Sequence, residues 1–453
     1  MLFYSVSGRG GIVLFSEMNE YIQKDYSRFH IPGHKGFIEG QSGMSGLLQY
    51  DLTEIPGMDS LYDADGIIAD LESRIADFYK TEASLISCGG SSLSIMTMLK
   101  LALSEGDRVV MGRNSHVSAI NAAALIGFEP VWVYPVSDDG GHLPGRILSE
   151  DVDKALSETS DVKAVYITSP DFYGVMSDVR GIARVCDRYG VPLLVDNAHG
   201  AHLPLVGNSH PIVQGAAMCS DSAHKTLPTL TGSGFLHIAC EEFAKKAKSV
   251  MSVFGSTSPS YLMMLSMDLC MDYMSGAGRL EYNRLAQSVY GLKKLALENG
   301  FSVPGGLCDP IRLSLSAWDL GYTGEDLADY LDEFRIMPEF IGSSYVVLVP
   351  TPHNSQRDFD RIGQAILNIY EARPLSRGPD VNITKPKRAM SIREAFMSAD
   401  QIVKIEDAVG SVSAESKSIC PPGIPVVVAG EIIDSNLVDA LFRCGVFDIK
   451  VVK

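Results

Sequence analysis

Val191-Pro192-Leu193-Leu194-Val195-Asp196-Asn197-Ala198-His199-Gly200 is the stretch on which the reading of this chain turns. A short apolar run rich in Val and Leu ends in a carboxylate, which predicts a buried strand with Asp196 at its end. In a parallel α/β sheet, ligands bind at the carboxyl ends of the strands, so Asp196 is an acid at the binding edge. The stretch closes on Ser220-Asp221-Ser222-Ala223-His224-Lys225-Thr226, where a lysine stands beside a histidine and two hydroxyls.

An acid at one strand end and a lysine after the next are placed as the two poles of a pyridoxal 5′-phosphate (PLP) site would be. The acid would hold the protonated ring nitrogen and the lysine amine would form the Schiff base. Singly, each residue has an ordinary explanation: an aspartate caps a turn, and a lysine is a solvated charge. The weight comes from what surrounds them. Ser84–Ser87 reads as a strand, followed by Gly89-Gly90-Ser91-Ser92 and a helical run from Leu93 to Leu103. Glycines and hydroxyls at a strand-to-helix turn make a phosphate cradle, although a plain glycine turn capped by Ser91 or Ser92 has the same pattern. Arg108–Met111 leads as a strand into Arg113-Asn114-Ser115-His116. His116 is therefore a flat imidazole at the same edge, placed to stack on a cofactor ring or to cap the following helix.

Working outward, strands are expected at Phe128–Tyr134, Val162–Thr168 and Gly234–Ile238. Asp178 is expected to cap a helix that stops at Gly190. Phe254 to Tyr261 is a hydroxyl-rich loop, and the Met-rich run Tyr261 to Met274, broken by Asp268 and Asp272, is a core helix. Glycines 276 and 278 mark a boundary before a smaller α/β unit, and Pro374 to Lys387 is a polar linker. The expected domains are an N-terminal arm (1–40), a cofactor-binding domain (41–275), a small α/β domain (276–380) and a C-terminal domain (381–453). The opening Met1 to Phe15 is apolar but interrupted by Arg9 and glycines, a poor signal peptide. Met18 is an alternative start.

The chain has 453 residues, 46% of them hydrophobic, enough for two or three domains. A net charge of −17 argues against nucleic acid and anionic membranes as partners. Eight scattered cysteines without a C-x-x-C pair read as reduced thiols of a cytoplasmic protein, with no metal site. No segment is apolar enough to span a membrane.

Taken together, the chain resembles the Orn/Lys/Arg decarboxylase family over about residues 20–453, and most closely the shorter bacterial members without the N-terminal wing domain. The resemblance is carried by Phe29-His30-Ile31-Pro32-Gly33-His34-Lys35-Gly36, Val195-Asp196-Asn197-Ala198-His199-Gly200-Ala201-His202, Ser222-Ala223-His224-Lys225-Thr226-Leu227-Pro228 and Thr257-Ser258-Pro259-Ser260-Tyr261. Arg393-Glu394-Ala395-Phe396 and Pro421-Pro422-Gly423-Ile424-Pro425 match as well. The resemblance implies a fold-type-I, aspartate-aminotransferase-like large domain with a mostly parallel sheet, plus smaller α/β C-terminal domains. It implies PLP, with Lys225 as the Schiff-base lysine and Asp196 on the pyridine nitrogen. His116 would stack on one ring face, with Ala198 beneath the other and His199 at the hydroxyl side. Gly90, Ser91, Ser92, Ser222 and His224 would hold the phosphate, while Thr257 and Ser258 reach a neighbouring subunit's phosphate. The chain departs from the family at Asn197, where Glu is usual, at Val117 (Lys), at Gly89 (Asn) and at Gly232 (Gln).

The implied activity is decarboxylation of a basic amino acid, arginine or lysine before ornithine, in a homodimer or higher homo-oligomer with shared sites and in the service of polyamine biosynthesis. An aminotransferase or aldolase would use the same cofactor site, and Arg312 is the residue an aminotransferase would turn to the α-carboxylate. A distal cation needs an acid in the pocket. The candidates are Asp51, Glu54, Asp59, Glu339 and Glu431.

Overall fold

The structure is a computed structural model and describes residues 12–37, 44–137, 143, 145–207, 209–370, 375, 385–419 and 423–453. The apolar opening up to residue 11, most of the expected 374–387 linker and the Pro421-Pro422 pair lie outside the described residues.

A seven-stranded sheet forms the centre. Its strands are β1 (Ala83–Ser87), β2 (Arg108–Gly112), β3 (Glu129–Val133), β4 (Val162–Thr168), β5 (Leu193–Asp196), β6 (Met218–Asp221) and β7 (Gly234–Ile238), in the order β1-β7-β6-β5-β4-β2-β3. β7 runs antiparallel to both neighbours, and the other six share one direction. Both faces of the sheet are covered, which is why its strands are nearly continuous apolar runs. Alternate residues separate onto the two sides. Val109, Met111, Ala164, Tyr166 and Leu194 pack with the helices Gly90–Ala102 and Val117–Ile126, while Val110, Val165, Ile167, Leu193 and Val195 pack with Val179–Tyr189.

The carboxyl ends of β1, β2, β4, β5 and β6 open onto one edge. Each end is followed by one of the expected polar turns, so the topology gathers residues spread from Gly90 to Lys225. The glycine break at Gly276 is a kink (φ −96°, ψ −106°) between the helices Tyr261–Tyr273 and Arg279–Glu298, not a loop. One core runs through it: Tyr282, Leu285 and Val289 share a cluster with Ile68, Leu71 and Met267. A three-stranded antiparallel sheet, β8 (Leu313–Leu315), β10 (Val346–Leu348) and β9 (Phe340–Ile341), adds to that core. Residues 385–453 carry a further small core around Ile405, Val427, Leu437 and Val451.

Met18 is fully buried in the middle of the helix Val13–Gln23. Asp268, an acid inside the Met-rich helix, is fully buried as well. Its carboxylate binds the Arg74 guanidinium and accepts from the Phe15 amide at 3.2 Å, tying three helices together. We expect Arg74→Ala to strand this charge and cost about 3 kcal/mol of stability. Arg74→Ala/Asp268→Asn should recover most of the loss in thermal or urea unfolding.

Candidate functional site

The helix Gly90–Ala102 starts three residues before its apolar periodicity, so Gly90, Ser91 and Ser92 form its first turn. Gly89 offers no side chain to cap it, and first-turn amides have no carbonyl of their own helix to bond. Gly90 has φ +62° and its amide donates to the Gly232 carbonyl at 2.7 Å. A Cβ on Gly234 would lie 2.7 Å from the Gly90 carbonyl carbon, so β7 can approach the turn only as glycine. Ser222 Oγ donates to Ser91 Oγ at 2.8 Å, and the His224 ring is fixed by Nδ1–H donation to the Ser233 carbonyl at 2.9 Å. Hydroxyls and free amides at a helix N-terminus fit a phosphate.

Asp196 is 2% exposed. Its Oδ1 accepts from the Ala198 amide at 3.1 Å, and its Oδ2 from the Tyr166 hydroxyl at 3.4 Å. Burial pushes its carboxyl up from the ordinary range, while its interactions with His116 and Lys225 oppose the rise. A carboxylate held this way calls for a cationic partner, which a protonated pyridine nitrogen supplies. His116 is the N-cap of the helix Val117–Ile126, the second of its two expected roles. Its Nδ1 accepts from the Ser118 amide at 3.2 Å, which puts the proton of the neutral ring on Nε2. Burial lowers its pKa.

Lys225 lies in the single turn Ala223–Thr226 after β6, and its Nζ is 3.1 Å from His199 Nε2. The other ring nitrogen of His199 is 3.3 Å from Arg312 Nη2. A guanidinium only donates, so His199 Nδ1 accepts and its proton sits on Nε2, aimed at Lys225. Burial, then the charges of Lys225 and Arg312, hold the His199 pKa well below its ordinary value, so the ring is neutral. Arg312 is 2% exposed and stands 3.8 Å from Asp309, whose other oxygen is 2.9 Å from His202 Nε2. Phe172 packs edge-on to His199 with centroids 5.1 Å apart and leads to Phe340 and Tyr173.

Behind these groups lies Asp221. Asn197 Nδ2 donates to its Oδ1 at 2.7 Å, while His210 and His237 stand 3.2 and 3.3 Å from its Oδ2. Burial acts to raise Asp221, but the two histidines hold it well below the usual carboxylate range. A glutamate at 197 would set a second carboxylate against Asp221; the amide donates instead. Gly200 makes room for it, since a Cβ there would meet Asn197 Oδ1 at 2.1 Å.

Thr257 and Ser258 stand apart from this cluster, exposed on the loop between Phe254 and Tyr261. Among the proposed acids, Asp51 is 3.1 Å from His34 Nε2, Asp59 accepts four or more amides at the start of the helix Ile67–Tyr79, and Glu431 pairs with Arg113 at 3.2 Å. Glu339 is exposed, just before the short strand β9. Tyr166 escaped the reading of the chain because a tyrosine in an apolar strand looks like core until its hydroxyl is seen against the neighbouring strand's last residue.

Residues 13–304 match the family model described as Orn/Lys/Arg decarboxylase, major domain. The chain belongs to the Orn/Lys/Arg decarboxylase family. An arginine decarboxylase of Bacillus subtilis (strain 168) is 29% identical, covering 95% of this chain and 93% of its own. One from Halalkalibacterium halodurans is 30% identical over 94% and 91%. In fold, the chain is similar to the lysine decarboxylase LdcF of Francisella novicida (TM-score 0.81, 18% identity, 98% of this chain and 81% of the other). It is similar also to the constitutive lysine decarboxylase of E. coli (TM-score 0.78, 19% identity, 97% and 82%). As an Orn/Lys/Arg decarboxylase it is a fold-type-I, PLP-dependent amino-acid decarboxylase. No described helix is long and apolar enough to cross a membrane.

Asp171 gives the site a pH signature. It is fully buried, its Oδ1 accepts from the Val175 amide at 2.8 Å, and burial pushes its carboxyl up to about 7. The native state therefore binds more protons than the unfolded state between about pH 4 and 7, and stability from this group falls as pH rises through that window. Asp171→Asn should flatten that fall. Unfolding midpoints of the apo forms from pH 4 to 8 will show it as a variant-minus-wild-type difference that grows toward pH 7.

Proposed function

We propose that this chain decarboxylates arginine first, lysine second and ornithine less readily, giving the corresponding amine and carbon dioxide. The observation that carries the reading is the Arg312–His199–Lys225 chain beside the buried Asp196. The full-length relatives named arginine decarboxylase support the order, since the constitutive lysine decarboxylase of E. coli is 24% identical over only 60% of this chain.

When bound, PLP supplies an electron sink for the carbon that loses its carboxylate. The residues do the rest. Asp196 would keep the ring nitrogen's proton by charge, and Tyr166 and the Ala198 amide hold that carboxylate in place. His116 would cover one ring face and Ala198 the other. Gly90, Ser91, Ser92, Ser222 and His224 would anchor the phosphate. Lys225 would present its amine, and Lys225 and His199, 3.1 Å apart, are the candidates to return a proton to the substrate carbon. With Asp51, Asp59 and Glu431 engaged elsewhere, exposed Glu339 would be the acid for the distal cation. A planar guanidinium would meet such a carboxylate with two hydrogen bonds, an ammonium with one.

The second reading, an aminotransferase, rests on Arg312, one imidazole away from Lys225. Product identity separates the two. Incubation with arginine should release carbon dioxide and agmatine, and with lysine cadaverine; a keto acid as product, or a neutral amino acid as best substrate, would overturn the reading. Lys225→Ala should abolish turnover and the borohydride-reducible attachment of cofactor. Asp196→Ala should retain part of the cofactor but lose most activity.

We also infer a cytoplasmic homodimer with shared sites. Support comes from the N-terminal arm, where Phe29 (94% exposed), Ile31 and Phe37 leave exposed apolar side chains in and around the His30–Lys35 loop. In this reading Thr257 and Ser258 complete the neighbour's phosphate site. Lys225→Ala mixed with a Thr257→Ala/Ser258→Ala variant should regain part of the activity on subunit exchange; zero activity in proven heterodimers would exclude sharing.

A further inference from the structure

The helix Val117–Ile126 carries His116 at its N-terminus, and the C-terminal unit grips that helix at both ends. At the far end, Arg393 Nη1 donates to the Ala124 and Leu125 carbonyls at 3.2 and 2.6 Å. At the near end, the Val117 amide donates to the Gly423 carbonyl at 2.8 Å. Just before the helix, Arg113 Nη1 donates to the Pro425 carbonyl at 2.7 Å, and its Nη2 pairs with buried Glu431. Ile392 and Ala395 complete the grip by packing in the same apolar cluster as Ala119, Ala122 and Ala123.

Gly423 touches more than the helix. A Cβ built there would stand 2.6 Å from both Cδ2 and Nε2 of His116. The imidazole edge thus rests directly on the Gly423 backbone, which has φ +75°. The opposite edge is held through Nδ1 by Ser118. A flat ring clamped along both edges has one lateral position, and stacking on a cofactor depends on that position.

We propose that Gly423 is a positioning residue for His116, and that the C-terminal unit serves the reaction by setting where this ring stacks. The inference rests on the reading of His116 as the residue that covers the cofactor ring. It gives the Arg393-Glu394-Ala395-Phe396 and Gly423-Ile424-Pro425 segments one shared role, that of holding a helix whose N-cap residue is in the site. Glycine is required at 423 for two separable reasons, its left-handed backbone and the closeness of the imidazole.

Those two reasons can be told apart within the same unit. Gly410 also has a left-handed backbone (φ +85°), but a Cβ there would have nothing within 4 Å. Gly423→Ala and Gly410→Ala should share the backbone penalty, and only the first should displace His116. The experiment compares the purified holoenzymes for visible circular dichroism of the bound cofactor, cofactor affinity by titration of the apoenzyme, and kcat against KM. Gly423→Ala should alter the dichroic band, weaken cofactor binding and lower kcat about tenfold or more. Gly410→Ala should leave all three near wild type.

A Gly423→Ala protein that matches Gly410→Ala in band, affinity and kcat overturns the proposal. In a His116→Ala background, Gly423→Ala should add no further change; full multiplicative losses there would also overturn it. If Gly423→Ala is insoluble, rescue of solubility by His116→Ala supports the clash, and equal insolubility of the double variant refutes it. His116→Ala alone tests the underlying reading: an unchanged cofactor band in that protein removes the stacking role without reference to Gly423.

Discussion

A carboxylate buried at the end of a dry parallel strand is the constraint around which this protein is arranged. Asp196 is 2% exposed and flanked by Leu194 and Val195, which are fully buried. A charge in such surroundings costs several kcal/mol unless it is paired and hydrogen-bonded. The sheet supplies part of that: β4 brings the Tyr166 hydroxyl, the turn after β5 folds the Ala198 amide back, and the edges of β2 and β6 bring His116 and Lys225 into electrostatic range. The rest of the cost is left for a cationic ligand to offset, as a protonated ring nitrogen would.

A similar constraint acts on His199. It lies between Lys225 and Arg312, and burial together with those two charges holds its pKa well below the ordinary value. Two further acids frame Arg312. Asp309 is held below the usual carboxylate range, burial being outweighed by His202 and Arg312, whereas burial pushes Asp171 up to about 7. Opposite shifts in two aspartates near one guanidinium show that local hydrogen bonds and burial, not residue type, decide where charge resides.

Three parts of the chain meet at this edge. The seven-stranded sheet carries the cofactor poles, Arg312 arrives just before β8, and Gly423 arrives from the C-terminal unit. The Gly276 kink lets the helical run turn without interrupting the core. The units therefore share packing rather than a flexible connection at that point, and the expected boundary near 276 falls within continuous apolar contacts.

Local chemistry was enough to read much of this from the amino acids alone. A Val/Leu run ending in Asp196, a Gly-Gly-Ser-Ser turn before a helix, and a Ser-x-His-Lys turn each declare themselves within a few residues, because strand burial and helix starts are short-range properties. Family resemblance assigned their roles. Tertiary structure decided what depends on residues far apart in sequence: the Tyr166 hydroxyl on Asp196 thirty residues away, Arg312 on His199 more than a hundred away, and Gly423 against His116 about three hundred away. It also decided that Asp51, Asp59 and Glu431 are occupied by His34, a helix start and Arg113. The physical reason is that a side chain's pairing depends on which atoms lie within about 3 Å of it, and only the folded chain brings those atoms together.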